Sequence, residues 1–398
     1  MKTMKSKVIK TILVSMIVIA LIAAFGFTGC QSISDVVGIT AEQDTAAGET
    51  AEETAGETAE EAGSPEDTAV AETTQEAINP DEITGNINIL TGLEISDSVL
   101  NGRPVSVMVD NQPAARPQSG LISADVVFEV VDEGGVTRFV SIFSSSQPDL
   151  VGPVRSMRPY YAEIAAGFDS IYVFWGTAPY FYIYVENLGL DYLSPLGDGT
   201  GASSITANFA DPGSGKGADA IRDTTRVAPH NAYVGIPRML EIAQEQGYAL
   251  EGGQSPFHFK EDAPESGRGD ISDIALNFSQ QTFKVDFKYD SATNKYMRYV
   301  AGQPNTDRES GEQISVNNVV VLITDIKNSG DEAGHMIVRT TQSGDAYYFF
   351  DGNVIEGTWS RTSPLEPFQF RDKDGKNILV NRGQSWVAMI AGIEQLEY

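Results

Sequence analysis

The stretch "ADVVFEVVDEGGVTRFVSIFSS" (residues 124–145) decides how the rest of the chain is read. Val, Phe and Ile crowd both of its halves, and Gly134-Gly135 stands between them. Glycine supplies the positive φ that tight turns demand, so segments 124–131 and 137–145 are predicted to pair as a hairpin. Upstream, "RPVSVMVD" (103–110) reads as a further strand. Downstream, "PYYAEIAAGF" (159–168) has helical spacing and "SIYVFWG" (170–176) returns as a buried strand. "APYFYIYVENLGL" (178–190) and "IPRMLEIAQEQGY" (236–248) read as helices, the second with Pro237 near its start and Gly247 near its end. Strands mixed with helices predict an N-terminal α+β (or α/β) domain with a mixed sheet over 88–260. After the polar stretch "EDAPESGRGD" (261–270) every apolar run is strand-like, as in "TFKVDFKYD", "NVVVLITDI" and "NVIEGTWSR". That predicts a β-rich C-terminal domain over 261–398, a barrel or sandwich.

The termini of this body are chemically unlike it. Residues 1–30 carry four Lys and no acid, whereas 31–90 carry fifteen Asp and Glu and no Lys or Arg. Against a total of −28, the charge from 91 onward is therefore −17. A body so negative repels polyanions at long range, so nucleic acid is not an expected partner. Lys2, Lys5, Lys7 and Lys10 precede the apolar run "TILVSMIVIALIAAFGF", which is long enough to span a bilayer as an uncleaved anchor. It ends in Phe27-Thr28-Gly29-Cys30, small residues before the only cysteine, and this resembles a bacterial lipobox. On that reading residues 1–30 are a signal peptide, cleavage falls before Cys30, and its thiol carries a diacylglycerol. Both alternatives hold the body outside the cytoplasm, on the membrane. Residues 31–87 contain the tandem "AGETAEET"/"AGETAEEA" (47–62), which has almost nothing to bury. They are expected to form an acidic, disordered linker.

Several function classes are excluded. One cysteine permits no internal disulfide, and if Cys30 is lipidated no thiol nucleophile remains. "DPGSGKGAD" (211–219) lacks the spacing of a phosphate-binding P-loop, and "DKDGKN" (372–377) lacks the further ligands of a calcium loop. No nucleophile elbow or His-Glu-x-x-His zinc motif occurs, and neither a cofactor nor a metal is expected.

Five motifs in order, "NGRPVSVMVDN" (101–111), "AARPQSGL" (114–121), "ADVVFEVVDEGGVTRF" (124–139), "VGPVRSMRPYY" (151–161) and "APHN" (228–231), resemble the YerB family of bacterial lipoproteins. The body of that family is a two-part domain of unknown function. "FDGNVIEGTWSR" (350–361) and "VNRGQSWVAMI" (380–390) resemble its second part. The resemblance implies a lipid tether at Cys30 and brings no activity with it.

The candidate site follows from charge at a helix start. Pro159 is a favoured first helical residue, which makes Arg158 the N-cap and leaves Arg155 just outside. A helix N-terminus is already positive, so arginine there needs a negative group, and Glu129, Asp132 and Glu133 on the hairpin are candidates. An internal salt-bridge network is one reading. The other is an anion-recognising cleft of Arg138, Arg155 and Arg158, with Arg103, Arg116, Asp110 and Asn111. Glu129 and Glu133 are also considered as a general acid and base, and His230-Asn231 as a catalytic pair. Trp175, Tyr180 and Tyr184 are read as core or as sugar-stacking rings, and His258 and His335 receive no role. The expected function is a tethered module binding an anionic envelope component or a protein partner. The alternatives are an enzyme acting on cell-wall polymers and a scaffold for envelope proteins.

Overall fold

The computed structural model describes residues 86–96 and 102–398, apart from 198, 201–205 and 216. Cys30, the basic leader and the acidic linker up to 85 lie outside the described residues. Among the described residues no helix is long and apolar enough to cross a membrane.

The hairpin forms as the sequence reading expects. Strands β2 (Val126–Val131) and β3 (Thr137–Phe143) pair antiparallel, with Glu129 opposite Phe139 and Val131 opposite Thr137. Between them Gly134 and Gly135 take φ of 68° and 75°, where a side chain would strain the backbone. β3 also pairs antiparallel with β1 (Val105–Asp110), which runs parallel to β4 (Ile171–Val173), itself parallel to β5 (Tyr192–Leu193). Three helices intervene: α1 (Pro159–Ala166), α2 (Pro179–Leu188) and α3 (Ile236–Glu245). Each begins with proline at its first or second position, where the missing N–H costs no helical bond.

The second half is β-rich, and its strands do not close on themselves. β6 (Asn318–Ile323), β7 (Gln342–Phe350), β8 (Asn353–Arg361), β9 (Gln369–Asp372) and β10 (Ser385–Ile390) complete one ten-stranded sheet in the order β9-β8-β7-β6-β10-β2-β3-β1-β4-β5. β10 sits between β6 and β2, parallel to both. Residues from both sides of position 260 therefore share a sheet, and the described residues form one compact unit. The fold is α+β.

Central strands of this sheet are buried on both faces. β3 and β10 are buried at every position, which explains runs such as "SWVAMI" that lack alternation. One face packs Phe128, Val130 and Val387 against Tyr161, Ile164 and Val185 of α1 and α2. The opposite face packs Val127, Phe139 and Trp386 against α3 and a smaller sheet built around Asp273–Asn277, Lys284–Asp290 and Lys295–Val300.

Candidate functional site

Seven strands of the large sheet, β8, β6, β10, β2, β1, β4 and β5, point the same way, with β7 and β3 reversed among them. From the carboxyl end of β1 the chain passes to β2, and from that of β4 it passes to β5 on the other side. A crevice at such a divergence is where open α/β sheets place ligands. Here the segment 154–157 crosses the strand ends: Arg155 N donates to Met108 O (3.0 Å), and Trp175 N donates to Arg155 O (2.9 Å).

The quoted motifs converge on this edge. Asp110 N donates to Pro153 O, Ser119 and Gly152 exchange backbone bonds, and Val154 N donates to Ala232 O. The strips 116–120, 151–155 and 230–234 thus lie side by side at the end of β1. Prolyl bonds 116–117, 152–153 and 228–229 are cis.

Asp110 is wholly buried and organises the centre. Its Oδ2 lies 2.7 Å from His230 Nδ1 and 3.2 Å from Arg155 Nε, and its Oδ1 accepts from Gln112 N at 2.9 Å. A carboxylate can only accept, so Nδ1 carries the proton and Nε2 is left as the ring's second nitrogen. The His230 and Arg155 side chains keep 14% and 17% of their exposure.

The arginines divide into two kinds. Arg138 is locked: its Nη1 lies 2.7 Å from Asp132 Oδ2 and donates to Ser156 O at 2.8 Å. Arg158 grips Glu133 through Nε and through Nη2 at 2.9 Å, and donates to Met157 O. It is the N-cap of α1 without a side-chain cap bond, and the carboxylate of Glu133 offsets its charge there. Arg155 differs. Its buried Nε lacks a well-aligned hydrogen bond, as does that of Arg138, but no described residue accepts one from its Nη1 or Nη2. Burial lowers its pKa and the charges of Arg138 and Arg158 lower it further, against the pull of Asp110. Asp110 therefore offsets its charge only in part.

Other expected members fall elsewhere. Arg103 precedes β1 at its opposite end, roughly 20 Å from Asp110 along the strand, and pairs with Asp169 and Asp191. It does not join the cleft. Glu129 and Glu133 do not form an acid–base pair, because β2 ends at Val131 and the turn carries Glu133 away. Glu129 is fully buried, accepting from Thr137 Oγ1 (2.8 Å), Asn111 Nδ2 (3.3 Å), Arg298 Nη2 (2.8 Å) and Trp386 Nε1 (3.1 Å). Asn111 also holds Arg116, which donates to Thr282 O in the second half and lies over Phe283. Asn231 accepts from Arg222 and steadies the loop beside His230.

Two residues were not singled out in the sequence. Arg298 faces inward on Lys295–Val300, whose burial alternates, so a charge in the buried phase was its signal. His335 contacts Asp331 at 2.6 Å and lies 3.8 Å from Glu133. It borders a cleft of about 340 Å³ lined with Tyr160, Tyr180, Phe181 and Tyr184. Tyr180 is the exposed ring there, Tyr184 donates to Glu163, and Trp175 lies under the Arg222 guanidinium.

One acid-range consequence follows for Asp132. Burial alone would raise its pKa, but Arg138, Glu133 and Arg158 outweigh that and hold it below the ordinary 3.8. A depressed folded value adds stability that is complete above 3.8 and is lost as pH falls through the lower folded value. Urea unfolding between pH 6 and 3 should show a shallower acid loss for Asp132→Asn than for the unmodified chain. Equal slopes would deny Asp132 that part.

Comparison with known proteins agrees with the convergence of these motifs. A family model described as "Protein of unknown function (DUF3048) N-terminal domain" matches residues 90–249, and its C-terminal companion matches 274–387. Over 307 residues the chain is 32% identical to YerB of Bacillus subtilis (strain 168), provisionally named a lipoprotein, covering 77% of this chain and 86% of that protein. The crystal structure of YerB protein from Bacillus subtilis superposes with a TM-score of 0.66 at 29% identity, covering 78% of this chain and 98% of that one. With both parts of the domain matched in order and the fold shared, the chain belongs to the DUF3048 family, proteins of unknown function that include a lipoprotein by provisional name.

Proposed function

We propose that this is a lipid-tethered binding module of the cell envelope, whose Asp110–His230–Arg155 crevice receives an anionic group of a wall polymer or a partner protein. The observation that carries this reading is Arg155, a partly buried guanidinium with both terminal nitrogens left without described partners. A guanidinium fork suits phosphate or carboxylate, and His230 adds a second donor when protonated. The tether is Cys30: cleavage before it and acylation of its thiol would hold the body outside the cytoplasm, consistent with a relative provisionally named a lipoprotein. Two or more acyl chains give stable anchoring, at about 0.8 kcal/mol per buried CH₂. In a titration with solubilised wall fragments, Arg155→Ala should lose binding at least tenfold while Arg103→Ala binds as the unmodified chain does. Equal affinity for Arg155→Ala and the unmodified chain would remove the crevice from the account.

A second reading is supported by the 2.7 Å Asp110–His230 contact. A buried carboxylate fixing an imidazole tautomer is how a general base is oriented. On that reading the protein cleaves wall polymers or their phosphodiester links. Purified wall material should then release soluble product, and His230→Ala should stop the release.

A further inference from the structure

We infer that Lys260 and Asn381 are a site of spontaneous covalent crosslinking, an amide bond between two side chains with Asp351 as its proton-transfer group. This is independent of the crevice and lies in a different part of the molecule. Lys260 ends the short strand His258–Lys260, Asn381 ends Leu379–Asn381, and the two strands pair parallel with Lys260 opposite Asn381. The Lys260 amine donates to the Asn381 carbonyl oxygen Oδ1 at 2.5 Å and to Asp351 Oδ2 at 2.5 Å. The Asn381 amide nitrogen Nδ2 donates to the other oxygen of the same carboxylate, Asp351 Oδ1, at 2.6 Å. One carboxyl group thus bridges the would-be nucleophile and the would-be leaving nitrogen.

The surroundings suit the chemistry. Asn381 is fully buried, Asp351 is nearly so, and the Lys260 side chain keeps only 12% of its exposure. Phe350 lies beneath the ammonium at 5.0 Å, and Phe257 and Phe259 are buried close by in sequence. Asn294 Nδ2 and Ala263 N also donate to Asp351 Oδ1 and hold the carboxylate still. Asn318 fixes the Asn381 backbone on both its N–H and its carbonyl. Reactants held in register and largely shielded from solvent gain the effective concentration of an intramolecular reaction.

The step balances without any added reagent. Asp351 takes a proton from the Lys260 ammonium, leaving a neutral amine. The amine nitrogen attacks Asn381 Cγ, and a tetrahedral intermediate forms. Asp351 returns its proton to Nδ2 as it removes a second one from the attacking nitrogen. The Cγ–Nδ2 bond then breaks and ammonia leaves, taking up the remaining proton as ammonium. One C–N bond forms, one breaks, and nothing is oxidised or reduced. The product links positions 260 and 381, which no disulfide can do in a chain with one cysteine. Like a disulfide, a link across so long a loop restricts the unfolded chain.

Denaturing trypsin digestion of the full chain followed by mass spectrometry decides the matter. Trypsin cannot cut after an acylated lysine, so the expected species joins residues 239–268 to 377–382 and is lighter than their sum by one ammonia. Lys260→Arg and Asp351→Asn should each yield the two peptides unlinked. Separate peptides 239–260 and 377–382 from the unmodified chain would overturn the inference even if neither variant folds, and so would the same loss of ammonia in Lys260→Arg.

Discussion

Glu129→Ala should remove about 3–5 kcal/mol of unfolding free energy, the loss expected when one partner of a fully buried ion pair is deleted. Glu129 and Arg298 are both completely shielded from solvent and meet at 2.8 Å. The Arg298 guanidinium also lies 4.2 Å from the Trp386 ring centroid, and Trp386 donates its indole N–H to the same carboxylate. The truncation leaves a buried cation without its counter-charge and a buried indole N–H without an acceptor. Pairing Glu129→Leu with Arg298→Met should restore much of the loss, because an apolar pair need not be desolvated as ions are. Urea unfolding followed by tryptophan fluorescence measures both. A loss below about 1 kcal/mol for the single variant would mean that the pair does little to hold the fold.

Arg138→Ala is the second large effect, again about 3–5 kcal/mol, because Asp132 is fully buried and would lose its nearest cation, keeping the more distant Arg158 and its bonds with Glu133 and the Tyr160 hydroxyl. Arg155→Ala should cost no more than about 1 kcal/mol, since it leaves Asp110 still bonded to His230 and to Gln112 N. Thermal unfolding of the two variants side by side separates an arginine that holds the fold from one that is free for a ligand. Similar losses in both would return Arg155 to the internal network.

The hairpin, the helix starts and the convergence of charge near Arg155 were legible because each rests on local chemistry: glycine at a positive φ, proline at a first turn, and charge opposing a helix end. Apolar runs in β3 and β10 announced strands buried on both faces. What could not be read was pairing at a distance. β10 inserts between β6 and β2, so the strands after residue 260 extend the first sheet, and nothing local to "SWVAMI" names its neighbours. The same gap explains the site assignments. Spacing alone placed Arg103 beside the other arginines although it opens the strand that Asp110 closes, and it placed Glu129 beside Glu133 across a turn that parts them. The partner of Glu129 comes from a strand 169 residues away.

A crystal of residues 72–398, soaked with wall fragments and examined beside Arg155, tests whether this crevice receives an anion. An anionic group of the fragment is expected on the two terminal nitrogens of Arg155, within hydrogen-bond reach of His230 Nε2, in the unmodified protein and not in Arg155→Ala. Fragment bound elsewhere, with the Arg155 nitrogens turned to a protein carboxylate, would contradict it.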